Sequence, residues 1–381
     1  MRRAARCRSL ERLGVLLFLP LAACEHTSPF PPGAYGPEPP AFSGSARLTY
    51  NPGVDWTPAW LPDGSGILYS IQRLDRGDLD RCLGLLPGAG GTLVRVMCHR
   101  TAAADDSTDV FEAPAPAPDG RLVYVRASSS ARFRSLSPNV QAVVLATTDE
   151  PDEFRALRSL PYAAGTRQHQ GVSHIRWLGD RSIVYLAERV AYAGACGGCP
   201  PDTLRWGREI ATLTWTATTA DVTVVPGTAE ASSVSLGGSA DTIYYTLNGD
   251  SRVFRRALAS GVVDVAHDFG AGRTARDAEV VAGRLVAVVG GKVSYADVPG
   301  IGPMQRDEGG ELFVVELSTG AETAVPLAGR WFRRPRLRQA GDRLVAETYA
   351  YTITPIAVNG TVVRVDTTVG RVGDLWLLAT P

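Results

Sequence analysis

From residue 45 to the C-terminus no apolar pattern of period 3.6 is sustained. Short runs of alternating apolar and polar residues recur instead, each broken by Gly, Pro, Asp or Asn. That pattern predicts strands and turns throughout, hence an all-β body. The stretch Trp56 to Ser70, "WTPAWLPDGSGILYS", shows the unit: an aromatic and proline frame, a Pro-Asp-Gly turn, then an apolar strand. In such a turn Asp63 caps through its carboxylate and Gly64 accepts a positive φ at no steric cost. Asp63 and its counterpart Asp119 are therefore read as structural, not catalytic.

The unit repeats. "FEAPAPAPDGRLVYVRA" (111–127) keeps the proline offset and the turn, and "SHIRWLGDRSIVYLAE" (173–188) keeps the tryptophan, the turn aspartate and the strand. "VSLGGSADTIYYTLN" (234–248), "AEVVAGRLVAVVGG" (278–291) and "RRPRLRQAGDRLVAETYA" (333–350) are more degenerate copies. A spacing of roughly 45 to 60 residues points to a propeller or a solenoid. A second element follows each copy: "GDSRVFRRALASG" (249–261), "GGELFVVELSTG" (309–320) and "GDLWLLAT" (373–380) each place a strand after a Gly-rich start. The full unit is a four-stranded meander.

On Asp55, Pro58, Trp60, Pro62, Asp63 and Gly64, and on Pro114, Pro118, Asp119 and Gly120, the chain resembles the TolB-type propeller repeat, with Pro116 where that pattern has an aromatic. The resemblance implies a single β-propeller over residues 45–381, of six four-stranded blades. Closure supports six: the last unit ends on "GDLWLLAT" without an outer strand, and "ARLTY" (46–50) is an orphan strand ahead of the first. If the orphan supplies the missing strand, no sheet edge is left free at the junction. A seven-bladed ring using the longer insertions, or an open pair of sheets, remains the alternative.

The N-terminus carries a different signal. An arginine-rich start precedes nine apolar residues, Val15 to Ala23, a run too short to span a bilayer as a helix. It ends in Leu21-Ala22-Ala23-Cys24, which resembles the lipobox of bacterial lipoproteins. That resemblance implies removal of residues 1–23 as a signal peptide and acylation of Cys24, a membrane anchor; Glu25 in the next position favours sorting to an outer membrane. An ordinary secretory signal is the alternative. Residues 24–44 then form a Pro-rich tether of up to about 60 Å in a polyproline-like conformation. The expected location is the cell envelope.

Composition narrows the chemistry. Lys+Arg and Asp+Glu are both 39, so no basic field argues for nucleic acid. Lys292 is the single lysine, which speaks against a Schiff-base or lysine-nucleophile mechanism. No Gly-x-Ser-x-Gly elbow occurs, so the hydrolase domain that accompanies some propellers is not expected. Beyond Cys7 and Cys24, four cysteines remain. Cys82 and Cys98 lie symmetrically about the turn at 87–91 and would face each other across a hairpin, within disulfide reach. Cys196 and Cys199 form a CxxC in a Gly-Gly loop: a loop disulfide, free thiols, or a metal or redox site.

Candidate ligand groups are few. His169 and His174 fall near the innermost strand of the third unit, where they are either ordinary loop histidines or ligands. Arg334, Arg336 and Arg338 recur at period two, which places them on one side of a strand, either as paired structural charges or as an anion-binding rim at the channel mouth. Neither a cofactor, a metal nor a catalytic set is implied. The expectation is a non-enzymatic envelope lipoprotein whose propeller binds a protein, peptide or glycan ligand. The alternative is a channel-centred lyase or hydrolase acting on an anionic saccharide.

Overall fold

The apolar run after each turn is buried on both faces, as in Gly66–Gln72, where only the last residue is partly exposed. A strand with two buried faces needs a neighbour on each side, and that requirement sets the architecture. The computed structural model describes residues 45–50, 54–72, 81–98, 107–130, 140–160, 168–193, 202–291, 293–298, 302–307, 309–326, 331–348, 352–358, 361–368 and 374–381. Cys24, Cys196 and Cys199 lie outside them.

Strand β1 (Ser45–Arg47) precedes a first meander of β2 (Asp55–Trp60), β3 (Gly66–Gln72), β4 (Arg81–Pro87) and β5 (Arg95–Met97). A second comprises β6 (Ser107–Pro116), β7 (Arg121–Ser130), β8 (Val140–Thr147) and β9 (Arg155–Leu160). The third is β10 (Gln168–Gly179), β11 (Ser182–Ala193), β12 (Asp202–Trp215) and β13 (Ala220–Val224), and the fourth β14 (Ala231–Leu236), β15 (Thr242–Leu247), β16 (Arg252–Ala257) and β17 (Val263–Asp268). Next come β18 (Ala275–Val281), β19 (Arg284–Val289), an inserted hairpin β20 (Val293–Val298) and β21 (Gly302–Asp307), then β22 (Glu311–Glu316) and β23 (Ala321–Ala324). The chain ends with β24 (Phe332–Leu337), β25 (Arg343–Thr348), the hairpin β26 (Thr352–Val358) and β27 (Thr361–Thr368), and β28 (Leu375–Ala379).

The result is a propeller-like arrangement of four-stranded sheets, with no helix among the described residues. Four sheets stand apart, in the orders β10-β11-β12-β13, β14-β15-β16-β17, β18-β19-β22-β23 and β1-β28-β25-β24. The first two meanders share one eight-stranded sheet, joined through the single parallel pair Arg81–Val110. Four separate four-stranded sheets are thus seen where six were expected.

Period-two alternation sends each strand's apolar residues to two different seams. Val184 and Leu186 face Ala231 and Val234 of the next meander, whereas Ile183 and Tyr185 face Val123 and Val143 of the preceding one. Similar clusters pair every meander with its neighbour, the last being Leu48, Val345, Leu375 and Leu377 against Ile67, Tyr69 and Leu86. Only the outermost strands lie open, as in Ala321–Ala324, exposed at every residue.

That last seam depends on β1. It pairs antiparallel with β28, Ala46 opposite Leu377, over Ser45–Arg47 rather than the expected 46–50. Leu48 donates its amide to the Leu375 carbonyl, and Leu375 donates its own to Thr49 Oγ1. Arg47 pairs at 2.8 Å with Asp374, both side chains less than a tenth exposed. In the first meander Cys82 and Cys98 are disulfide-bonded with Cα atoms 4.5 Å apart, the spacing of a non-hydrogen-bonded antiparallel pair.

Arg47→Met should lower stability by about 3–5 kcal/mol, because Asp374 is left charged and buried. Arg47→Met combined with Asp374→Asn should recover most of that loss. Denaturant unfolding of the two variants checks this; equal loss in both would remove the ion pair from the closure.

Candidate functional site

The innermost strands β2, β6, β10, β14, β18 and β24 surround a central channel, and each carries at least one extra residue relative to the strand it pairs with. The register slips between Trp56 and Ala59, Glu112 and Ala115, Ser173 and Arg176, Ala231 and Ser233, Arg276 and Glu279, and Arg333 and Arg336. Such β-bulges re-aim side chains. In five of them the first bulged residue is a non-glycine in the left-handed region: Thr57 (φ 49°), Ala113 (51°), His174 (53°), Asp277 (50°) and Arg334 (44°). Each costs roughly 1–2 kcal/mol. Pro58, Pro114 and Pro335 follow three of them, and a proline at a bulge gives up no ladder donor. Pro58 and Pro114 of the sequence repeat therefore mark bulges.

A bulge frees a backbone N–H, and the neighbouring meander receives it. Thr57 donates its amide to Glu347, Ala113 to Thr57 Oγ1, Ala278 to Ser233 Oγ and Arg334 to Asp277 Oδ2. Two residues beyond the bulge, indole N–H groups repeat the device: Trp60 Nε1 donates to the Arg336 carbonyl and Trp177 Nε1 to that of Ala115, each at 2.8 Å.

Above the bulges a cavity of about 300 Å³ opens on the face that carries the Pro-Asp-Gly turns. Its base is a ring of one residue per innermost strand: Ala59, Ala115, Arg176, Ser235, Glu279 and Arg336. These positions correspond, being paired respectively with Leu68, Val123, Val184, Tyr244, Val286 and Val345 of the adjoining strands. Three are small and three charged. Glu279 Oε2 accepts from Arg176 Nη2 at 2.6 Å and from Arg336 Nη1 at 2.8 Å. Two guanidinium groups thus share one carboxylate, so this layer holds an excess of one positive charge. Burial pushes the Arg176 guanidinium down to about 10, with Arg336 adding to the effect, still far above neutrality.

A second layer lies at the bulges, around a void of about 10 Å³ lined by Thr57, His174 and Arg334, which Arg176 and Arg336 also border. His174 is 7% exposed, with Nε2 3.4 Å from Asp277 Oδ1 and Nδ1 3.1 Å from Ser173 Oγ. Burial pushes its imidazole down to about 4; Arg336 and Arg176 push the same way, and Asp277 opposes them. Burial would raise the Asp277 carboxyl, but His174, Arg333 and Arg334 outweigh it and hold it well below the usual range. His174 is therefore neutral and Asp277 ionised at pH 7. Arg334 Nη1 lies 3.1 Å from the fully buried Glu347.

The sequence candidates part company here. The bulge between Arg333 and Arg336 breaks the period-two row. Arg336 reaches the cavity, Arg334 turns to Glu347 in the deeper layer, and Arg338 pairs with Asp342 on the surface. Arg338 is thus not among the residues that line the cavity. His174 occupies a bulge, whereas His169 lies earlier in β10, paired with Val190, and its side chain falls outside the described residues. Asp63 and Asp119 cap Ser65 and Arg121 at their turns. Among the described residues no cluster of His, Cys, Asp and Glu is arranged to hold a metal ion.

Arg176, Asp277 and Glu279 were not singled out from the sequence. Aligning the repeats on the residue before Pro58, Pro114 and Pro335 brings His174, Asp277 and Arg334 into one column, and Arg176, Glu279 and Arg336 into another, two residues on.

Because His174 titrates at about 6.5 unfolded and about 4 folded, its contribution to stability is complete above pH 6.5 and fades as the pH falls to 4, by on the order of 3 kcal/mol. His174→Gln should flatten the pH dependence of the unfolding midpoint across that window. An unchanged slope would place the acid sensitivity elsewhere.

No protein-family model matches the chain, and no curated protein matches it. Among solved structures it is similar to TolB from Acinetobacter baumannii, at 12% identity and a TM-score of 0.43 over 89% of this chain and 64% of that one. The chain therefore spans just under two thirds of the TolB chain. It is similar to a gluconolactonase from Xanthomonas campestris, at 15% identity and TM-score 0.49 over 88% and 89% of the two chains. An oligogalacturonate lyase in complex with manganese is also similar, at 12% identity and TM-score 0.44 over 88% and 93%. The structural neighbours of this β-propeller thus include TolB and two enzymes.

Proposed function

We propose that the chain is a cell-envelope lipoprotein, anchored through acylated Cys24, whose propeller is a binding module. Its turn-face cavity takes an anionic group of a protein, peptide or glycan ligand. We read each half of the eight-stranded sheet as a blade, which makes six. A single parallel bridge is a thin joint beside the antiparallel ladders within each half, and the apolar seam between the halves is of the same kind as the others.

One observation carries the binding reading: Arg176 and Arg336 share one oxygen of Glu279 at the base of a cavity reached by all six innermost strands. Incompletely compensated cations in a mostly apolar cleft favour a ligand anion.

The enzymatic alternative has a single observation in its favour. His174 and Asp277 form a histidine–carboxylate pair of the kind general acid–base catalysis uses. Against it, His174 is 7% exposed and borders the deeper void, not the cavity.

Full-length protein in detergent can be titrated calorimetrically with trigalacturonate and with short free-acid peptides. Saturable binding of at least one, weakened about tenfold or more by Arg176→Met and untouched by His174→Ala, is the expected result. Turnover of the saccharide, or binding indifferent to Arg176, would retire the proposal. Separately, Cys24→Ser should move the protein out of the membrane fraction; a variant that stays there would refute the anchor.

A further inference from the structure

Resting on that binding reading, we infer that the turn-face cavity is built for the free carboxylate of a polypeptide C-terminus whose last side chain is apolar.

Charge comes first. Arg176 and Arg336 against Glu279 leave one positive charge. The deeper layer does not cancel it: Arg334 and Arg333 offset Glu347 and Asp277. A monoanion therefore neutralises the site, while a phosphate near −2 overshoots it. Each guanidinium has five N–H groups in a planar fork. Arg176 spends two nitrogens, on Glu279 and on its own Ile175 carbonyl, and Arg336 uses Nη1 alone. The shared Glu279 holds the two forks in place and leaves donors for a second carboxylate.

Ser235 gives an independent sign of a ligand. Its hydroxyl belongs to the same ring of residues, is fully buried and has no hydrogen-bond partner among the described residues. Such a group is costly to bury unless a partner arrives, and a carboxylate oxygen can accept its proton.

The walls select the rest of the ligand. Pro62, Pro116, Pro118, Leu236, Val281 and Leu337 line the cavity. Trp60 and Trp177 have already spent their N–H groups on neighbouring carbonyls, so they offer only ring surface. Apart from the charged triad, Ser235 and Gln339 are the polar side chains present. A pyranose with several hydroxyls would leave most of them unpaired, whereas an aliphatic side chain loses nothing. About 300 Å³ is at the lower limit of ligand clefts, enough for a chain end rather than a length of chain.

N-acetyl-leucine, N-acetyl-leucinamide, galacturonate and inorganic phosphate, each titrated into the full-length protein in detergent and followed by tryptophan fluorescence, test the inference. N-acetyl-leucine should saturate the signal, and its amide should bind about tenfold more weakly or worse. Ser235→Ala should weaken N-acetyl-leucine several-fold. Leu236→Trp, which fills the cavity without touching the ion pairs, should abolish binding while the thermal melt stays cooperative. Equal binding of the amide, preference for galacturonate or phosphate, no response to N-acetyl-leucine, or full binding by the Leu236→Trp variant would each overturn it. Galacturonate binding lost with Arg176→Met would sink this inference alone; saccharide cleavage with no binding of any probe would sink the binding reading as well.

Discussion

A backbone N–H freed inside a buried ring must find an acceptor, and this protein meets that need between meanders rather than within them. Every innermost strand carries a bulge, and bulge amides of β2, β6, β18 and β24 are taken by side chains of the preceding meander. Left unpaired, each would cost about 1–3 kcal/mol, as much as the left-handed φ that creates it. The same contacts therefore offset local strain and fix the azimuth of one sheet against the next. Apolar packing at the seams is strong but does not specify angle; directional bonds from bulge to neighbour do.

The bulges also decide what faces the channel. By turning the chain at Thr57, Ala113, His174, Asp277 and Arg334, they bring the residue two positions on into a common ring. Small side chains at Ala59, Ala115 and Ser235 leave space, and Arg176, Glu279 and Arg336 fill part of it with charge. Buried ion pairs contribute little net stability over apolar replacements, so a charged triad in an otherwise apolar cleft is costly architecture. On the proposed binding reading, it is a recognition element held in place before the ligand arrives.

Beneath that ring the charges balance. Asp277 and Glu347 accept backbone and side-chain donors, and His174 stays neutral because a buried imidazolium between Arg176 and Arg336 would be worse than a buried imidazole. The two layers divide the work: the lower one locks strands together, and the upper one meets the turn-face cavity. His174 belongs to the lock. That explains why a histidine in the channel, attractive as an enzymatic group, has no open path to the cavity.

Much of the architecture was legible in the chain. Period-two alternation, the Pro-Asp-Gly turns and the orphan Ala46–Tyr50 segment were enough for a ring of meanders with the first strand beside the last, and the symmetry of Cys82 and Cys98 about their turn was enough to place them opposite each other. These are local regularities, and strand periodicity and turn chemistry are set by neighbours in sequence. The site was legible only in part. Arg336 stood out within an arginine row, but the row itself dissolved: one extra residue at Arg334-Pro335 separates Arg334 from Arg336, and the strand ends at Leu337, so Arg338 opens the turn and pairs with Asp342 there. Glu279 and Arg176, 103 residues apart, carried no local sign of meeting. Which charges share a carboxylate depends on bringing β10, β18 and β24 to one cavity, and only the tertiary structure supplies that distance.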